Sequence, residues 1–116
     1  MLNAVAETAA YLASAKEEGM TEAEQKLAID TLAANPEAGE LIVGSGGCRK
    51  VRIAGKGKGK SGGYRVVTVF GGGHMPVYLI AVLAKGSRAN FSKAEVQAMA
   101  AVAKRLREAH RPRVAS

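Results

Sequence analysis

The 116-residue chain carries 17 lysines and arginines against 10 acidic residues, a net charge of +7 at pH 7, with one cysteine and two histidines. A chain of this length is expected to form one domain that buries about two-thirds of its unfolded surface, and the lone cysteine, Cys48, excludes an internal disulfide and leaves no Cys/His tetrad for zinc. No stretch reaches the roughly 18 apolar residues of a membrane span, and the alanine-rich start contains Glu7 and lacks a basic n-region, so it does not read as a signal peptide and points to the cytoplasm.

The charge is unevenly divided. Residues 1–48 hold two basic side chains, Lys16 and Lys26, against eight acidic ones, while residues 49–116 hold fifteen against Glu95 and Glu108, so the halves carry −6 and +13. A basic half of this size concentrates polyanions and speeds their association.

In chain order, residues 2–18 are too rich in alanine to show a period and are expected to be helical, with room for a short strand near Val5–Thr8. Gly19 is a stop signal. Thr21-Glu-Ala-Glu24 is a capping box that opens a second helix, with Leu27, Leu32, Ala23, Ala28 and Ala34 on its buried side. Asn35-Pro36 closes that helix, because proline disfavours helical geometry in the residue before it. The two helices form a hairpin with an acidic outer face. Residues 37–48 are a loop in which Leu41, Ile42 and Val43 are expected to tuck against the core.

Three strand-like runs follow, 49–54, 64–70 and 77–84, dense in β-branched and aromatic residues, with Gly71-Gly-Gly73 marking the hairpin between the last two. A second capping box, Ser92-Lys-Ala-Glu95, opens a helix to about Ala109 whose core face is Val96, Met99, Ala103 and Leu106. Lys104, Arg105, Arg107 and Arg111 crowd its end, where positive charge suits the helix dipole. Residues 1–111 are expected to form the single domain and 112–116 a flexible tail.

The stretch Ala54-x-x-x-x-Gly59-Lys60-Ser61 has the spacing of a phosphate-binding P-loop with alanine at the first glycine. Its context excludes that reading. A P-loop leads into a helix, whereas Gly62-Gly63 leads into a strand, and the only aspartate, Asp30, lies upstream in a helix. Folding the hairpin about Gly72-Gly73 instead sets residues 63–65 beside 82–84, so Lys56, Lys58, Lys60, Arg65, Lys85 and Arg88 converge on one rim of the sheet. His74 sits near the opposite tip, roughly 20 Å away at strand rise, and is expected to be an exposed turn residue. His110 is expected to be exposed at a helix end, Cys48 to be structural, and Met75 and Met99 to be packing residues.

Cations with few carboxylates nearby suit no catalytic metal, which takes oxygen ligands. They suit an RNA backbone. They also suit its cleavage, in which the 2′-hydroxyl attacks the adjacent phosphate: arginine supplies fixed charge and a bidentate fork, and lysine transfers protons when neighbouring cations lower its pKa. An RNA-binding module would need the same charges.

Several ordered motifs carry a family resemblance: Asn35-Pro-Glu-Ala-Gly-Glu40, Gly44-x-Gly-Gly-x-Arg49-Lys50-Val-Arg52, Gly57-Lys-Gly-Lys-Ser-Gly-Gly-Tyr-Arg65, Tyr78-Leu-Ile-Ala-Val-Leu-Ala-Lys85 and Phe91-Ser-Lys-Ala-Glu95. Over residues 21–108 the chain resembles the RelE/ParE toxin superfamily, closest to its HigB-like RelE branch. The resemblance implies an α+β fold with an N-terminal helical hairpin, an antiparallel sheet of three to four strands and a C-terminal helix. It implies the toxin of a bacterial type II toxin–antitoxin system, cleaving mRNA in the ribosomal A site without metal or other cofactor, and neutralised by an antitoxin, commonly a helix-turn-helix protein. By this resemblance Arg65 stabilises the phosphate, Lys58 and Lys60 take the place of the catalytic lysines, and Lys85 and Arg88 fall where further basic residues follow the last strand; Lys85 is expected to join in catalysis, and Lys56, Arg88, Arg49 and Arg52 to bind RNA. Phe91 stands nearest to a family tyrosine, without its hydroxyl, and Gly86 stands about where another arginine is found, so the division of acid and base roles stays open. Two other readings also stay open: a ParE-like inhibitor of gyrase that is not an enzyme, and an RNA-binding module that does not cleave.

Overall fold

In the computed structural model, residues 2–55, 63–73, 75–84 and 91–111 are described. The chain runs β1 (Val5–Glu7), α1 (Ala9–Glu17), α2 (Glu22–Ala34), β2 (Glu40–Leu41), β3 (Cys48–Ile53), β4 (Tyr64–Val69), β5 (Val77–Ala84) and α3 (Lys93–Ala109). Each helix begins where a hydroxyl relieves an unpaired amide. Thr8 accepts from the Tyr11 amide at 3.1 Å, and Thr21 with Glu24 and Ser92 with Glu95 form the two reciprocal boxes expected from the sequence. Asn35 ends α2 at φ −144° and ψ 89°, outside helical geometry, as the following proline requires.

The strands form one five-stranded sheet in the order β1-β5-β4-β3-β2. The antiparallel centre, β3 to β5, is the one anticipated. Two short edge strands extend it, β2 antiparallel to β3 and β1 parallel to β5, with Val5 opposite Val77 and Glu7 opposite Leu79. The sheet divides two cores, because alternate residues of each strand face opposite sides. On one side Val51, Ile53, Tyr64, Val66, Leu79 and Val82 meet Tyr11, Ala15, Ala28 and Leu32 of the helical hairpin. On the other, Cys48, Val67, Val69, Met75 and Ile80 meet Met99 and Ala103 of α3. Each large side chain so buried stabilises the fold by about 1.5–3 kcal/mol.

Past β1 the outer edge of β5 would present unpaired backbone groups. Side chains of the first helix occupy it instead. Thr8 donates from Oγ1 to the Leu79 carbonyl at 2.8 Å, and Ser14 donates to the Val82 carbonyl at 2.9 Å while accepting from the Val82 amide at 3.0 Å.

Three expectations need correction. Leu41 and Val43 do not tuck into the core: they are 58% and 93% exposed, and only Ile42 packs against the α3-side cluster. Two-residue β2 pairs with β3 through its backbone and leaves its side chains in solvent. The hairpin's outer face is less acidic than its sequence, since Glu24 is buried and closes the capping box of α2. The buried side of α2 is Ala28, Leu32 and Ala33, whereas Ala23 and Ala34 are exposed.

Candidate active site

The strand register gathers one end of the sheet. Ile53 lies opposite Tyr64, and Tyr64 opposite Ala84, so three strand ends stand side by side. The connection from β3 to β4 and the chain leaving β5 both start there. Lys56, Lys58, Lys60, Lys85 and Arg88 belong to those segments and lie outside the described residues, as do His74 and the 112–116 tail. Gly63 forms the neck of the connection. Its φ is +68°, and a Cβ there would run into the Ile53 carbonyl and sit 2.6 Å from the Gly55 nitrogen, an approach open to glycine alone.

The next residues set the site. Tyr64 points into the helical hairpin, where its hydroxyl donates toward the Gly19 carbonyl at 3.2 Å and lies within reach of the buried Glu24 carboxylate. Burial first, and then the Glu24 charge, push the phenol above its ordinary pKa, so it stays a neutral donor. With Tyr64 fixed on one face, strand alternation turns Arg65 to the other. There Arg65 pairs directly with Arg52 across the β3–β4 ladder.

These two arginines line an open basin of about 480 Å³ with Lys50, Gly39 and Glu40. Lys50 shares the face of Arg52 because it lies two residues away on β3. Gly39, at φ +92°, lies against the Lys50 carbonyl so closely that a Cβ would collide with it. Neither Lys50 nor Arg52 has an ion-pair partner within 4 Å among the described residues. Like charges directly opposite in a ladder disfavour each other, and an anion at this place would offset that repulsion. A phosphodiester, singly charged and fork-compatible with guanidinium, matches that requirement.

Arg49 does not join the basin. It faces the opposite side of the sheet, opposite Thr68, and its guanidinium donates to the Gly39 carbonyl at 3.1 Å. Sequence reasoning missed Lys50 and the anchoring role of Tyr64; the period-two pattern of β3 held the signal for the first. His110 also departs from expectation: it is half-buried, with its Nε2 and the Tyr78 hydroxyl hydrogen-bonded at 2.7 Å. Cys48 is fully buried, near the Ser45 and Met99 carbonyls, and burial pushes its thiol up against smaller opposing effects of Ser45 and Arg107. It is a packing residue rather than a nucleophile.

Helices on both faces of a mostly antiparallel sheet, with guanidinium groups opposed on an open part of it, define a small basic α+β fold. A family model described as the RelE toxin of the RelE / RelB toxin–antitoxin system matches residues 3–116. The chain belongs to the RelE toxin family, and as the toxin of a toxin–antitoxin pair it has a cognate antitoxin for a partner. Among the described residues no helix is long and apolar enough to cross a membrane.

Proposed function

We propose that this toxin is a ribosome-dependent endoribonuclease that cleaves mRNA in the A site without a metal, acting in the bacterial cytoplasm until a helix-turn-helix antitoxin of the kind paired with the HigB-like branch neutralises it. The opposition of Arg52 and Arg65 in a basin next to the strand ends Ile53 and Tyr64 carries this reading. The 2′-oxygen of one nucleotide bonds to the adjacent phosphorus as the bond to the 5′-oxygen breaks, leaving a 2′,3′-cyclic phosphate and a free 5′-hydroxyl. A base takes the 2′ proton and an acid protonates the departing oxygen. Arg65 holds the charge that builds on the non-bridging oxygens, with Arg52 and Lys50 beside it. Lys58, Lys60 and Lys85 are assigned the proton transfers, and Lys56 and Arg88 the flanking backbone.

Primer extension on a translated mRNA tests the reading. Expression of the toxin should create new 5′ ends within the coding region, and Arg65→Ala should remove them, with a loss of about 10²–10³-fold in cleavage rate. Growth arrest without new 5′ ends would instead favour a non-enzymatic target such as gyrase. Binding of RNA with a salt slope of about −0.7 per phosphate but no cleavage would favour a binding module.

A further inference from the structure

At the other end of the same sheet face lies a larger cleft, of about 730 Å³, that the proposed chemistry does not use. It is bounded by Gly71–Gly73 of the β4–β5 turn, by Gly46 ahead of β3, and by Lys104, Arg107, His110 and Arg111 at the end of α3, with Glu108 the one acidic residue in its lining. Positive charge at a helix C-terminus is favoured by the dipole alone, so charge by itself decides nothing. The packing does.

Arg107 is seated rather than solvated. Its guanidinium lies on Gly47, where a Cβ would collide with it, and its methylenes lie 3.5–3.7 Å from the position a Cβ would take on Gly71. Arg107 is fixed by the glycine turns, and the His110 imidazole beside it is held by the Tyr78 hydroxyl of β5. Lys104, Arg107 and Arg111 have no ion-pair partner within 4 Å among the described residues. A pre-positioned guanidinium flanked by two exposed cations in a glycine-walled cleft is suited to an anion whose backbone must come close.

The cleft is in line with the basin. Arg52, Lys50 and Cys48 share one face of β3, and Gly47 with its seated Arg107 follows at the strand's start. At strand rise, Arg52 to Gly47 spans about 17 Å, which several nucleotides of extended RNA would cover. We infer that the cleft at the end of α3 is a second phosphate site, holding the backbone of the RNA strand that passes through the Arg52–Arg65 basin. The inference rests on RNA being the ligand of that basin; it does not require that the RNA be cut.

Fluorescence anisotropy with 2′-O-methyl RNA, which lacks the attacking hydroxyl, tests it on the full chain, using a trinucleotide and a dodecanucleotide. Lys104→Ala/Arg111→Ala removes two exposed cations and leaves the seated Arg107 in place. It should weaken dodecanucleotide binding about tenfold at low salt and reduce the slope of log K against log salt by about 0.7 for each phosphate no longer neutralised. The trinucleotide, too short to span both places, should keep its affinity, whereas Arg65→Ala should weaken both. Unchanged affinity and slope for the dodecanucleotide would overturn the inference and leave a dipole-favoured helix end. So would an equal loss for both lengths, or a poly-glutamate peptide that outcompetes the dodecanucleotide at equal charge, which would make the cleft a protein-docking site. A toxin that binds RNA with these differences yet creates no 5′ ends would sink the endonuclease reading and keep the second site.

Discussion

At the residue scale, the proposed role of the basin sets recognition against stability. Two guanidinium groups opposed in a ladder repel each other, and a residue that relieves the repulsion should stabilise the fold while weakening function. Arg52→Gln, which keeps much of the stem, should therefore raise the stability measured in urea by a few tenths of a kcal/mol at low salt. That gain should vanish in sulfate, and primer extension should show slower cleavage; a drop in stability at low salt would refute the account. Arg65→Lys should restore only part of the activity that Arg65→Ala removes, since an ammonium lacks the planar fork. Tyr11 supplies a different test. It is fully buried, and burial first, then the Glu7 charge, push its phenol up to about 12. An unfolded tyrosine titrates near 10, so the folded state binds the proton more tightly. This contribution, roughly 2–3 kcal/mol, is fully present below pH 10 and is lost as the pH rises through about 12. Urea midpoints measured up that range should fall, and Tyr11→Phe should flatten the fall.

At the element scale, the protection of β5 depends on a hydroxyl. Ser14 serves as both donor and acceptor for Val82, taking the place of a neighbouring strand. Ser14→Ala gains a few tenths of a kcal/mol in helix propensity but leaves a strand amide and carbonyl unpaired, so a net loss of about 1–2 kcal/mol is expected in urea unfolding. An unchanged midpoint would mean that water replaces the bond at no cost. Local chemistry that is complete within a few residues is legible in the sequence. Both capping boxes, the Asn35-Pro36 stop and the bounds of β4 and β5 follow from single turns or from strand composition. β1 and β2 are harder because three residues and two residues show no period, and because their pairing partners lie elsewhere in the chain. Leu41 and Val43 mislead for the same reason: apolar composition does not reveal that a two-residue edge strand is held through its backbone.

At the scale of the whole molecule, the legible part of the site is the part set by register. Counting back from the Gly72-Gly73 turn places residues 63–65 beside 82–84, and the structure pairs Tyr64 with Ala84 and Arg65 with Leu83. The opposition of Arg52 and Arg65 needs the β3–β4 register as well. The larger cleft is not legible, because it assembles two glycine turns and a helix end that are remote in sequence. Lys104, Arg107 and Arg111 look like a solvated terminus until Gly47 and Gly71 are seen to seat Arg107. The unequal charge of the two halves also becomes intelligible: the acidic half supplies the hairpin that buries one face of the sheet, and both basic sites open on the other.

The parallel pairing of Val5–Glu7 with Val77–Leu79 has a consequence for synthesis. β1 cannot pair until β5, far downstream in the chain, has been made, because Val5 takes its place opposite Val77. α1, whose Ser14 also bonds to β5 along with the capping Thr8, must wait with it. Closure of the sheet at this outer edge therefore waits until β5 has been synthesised.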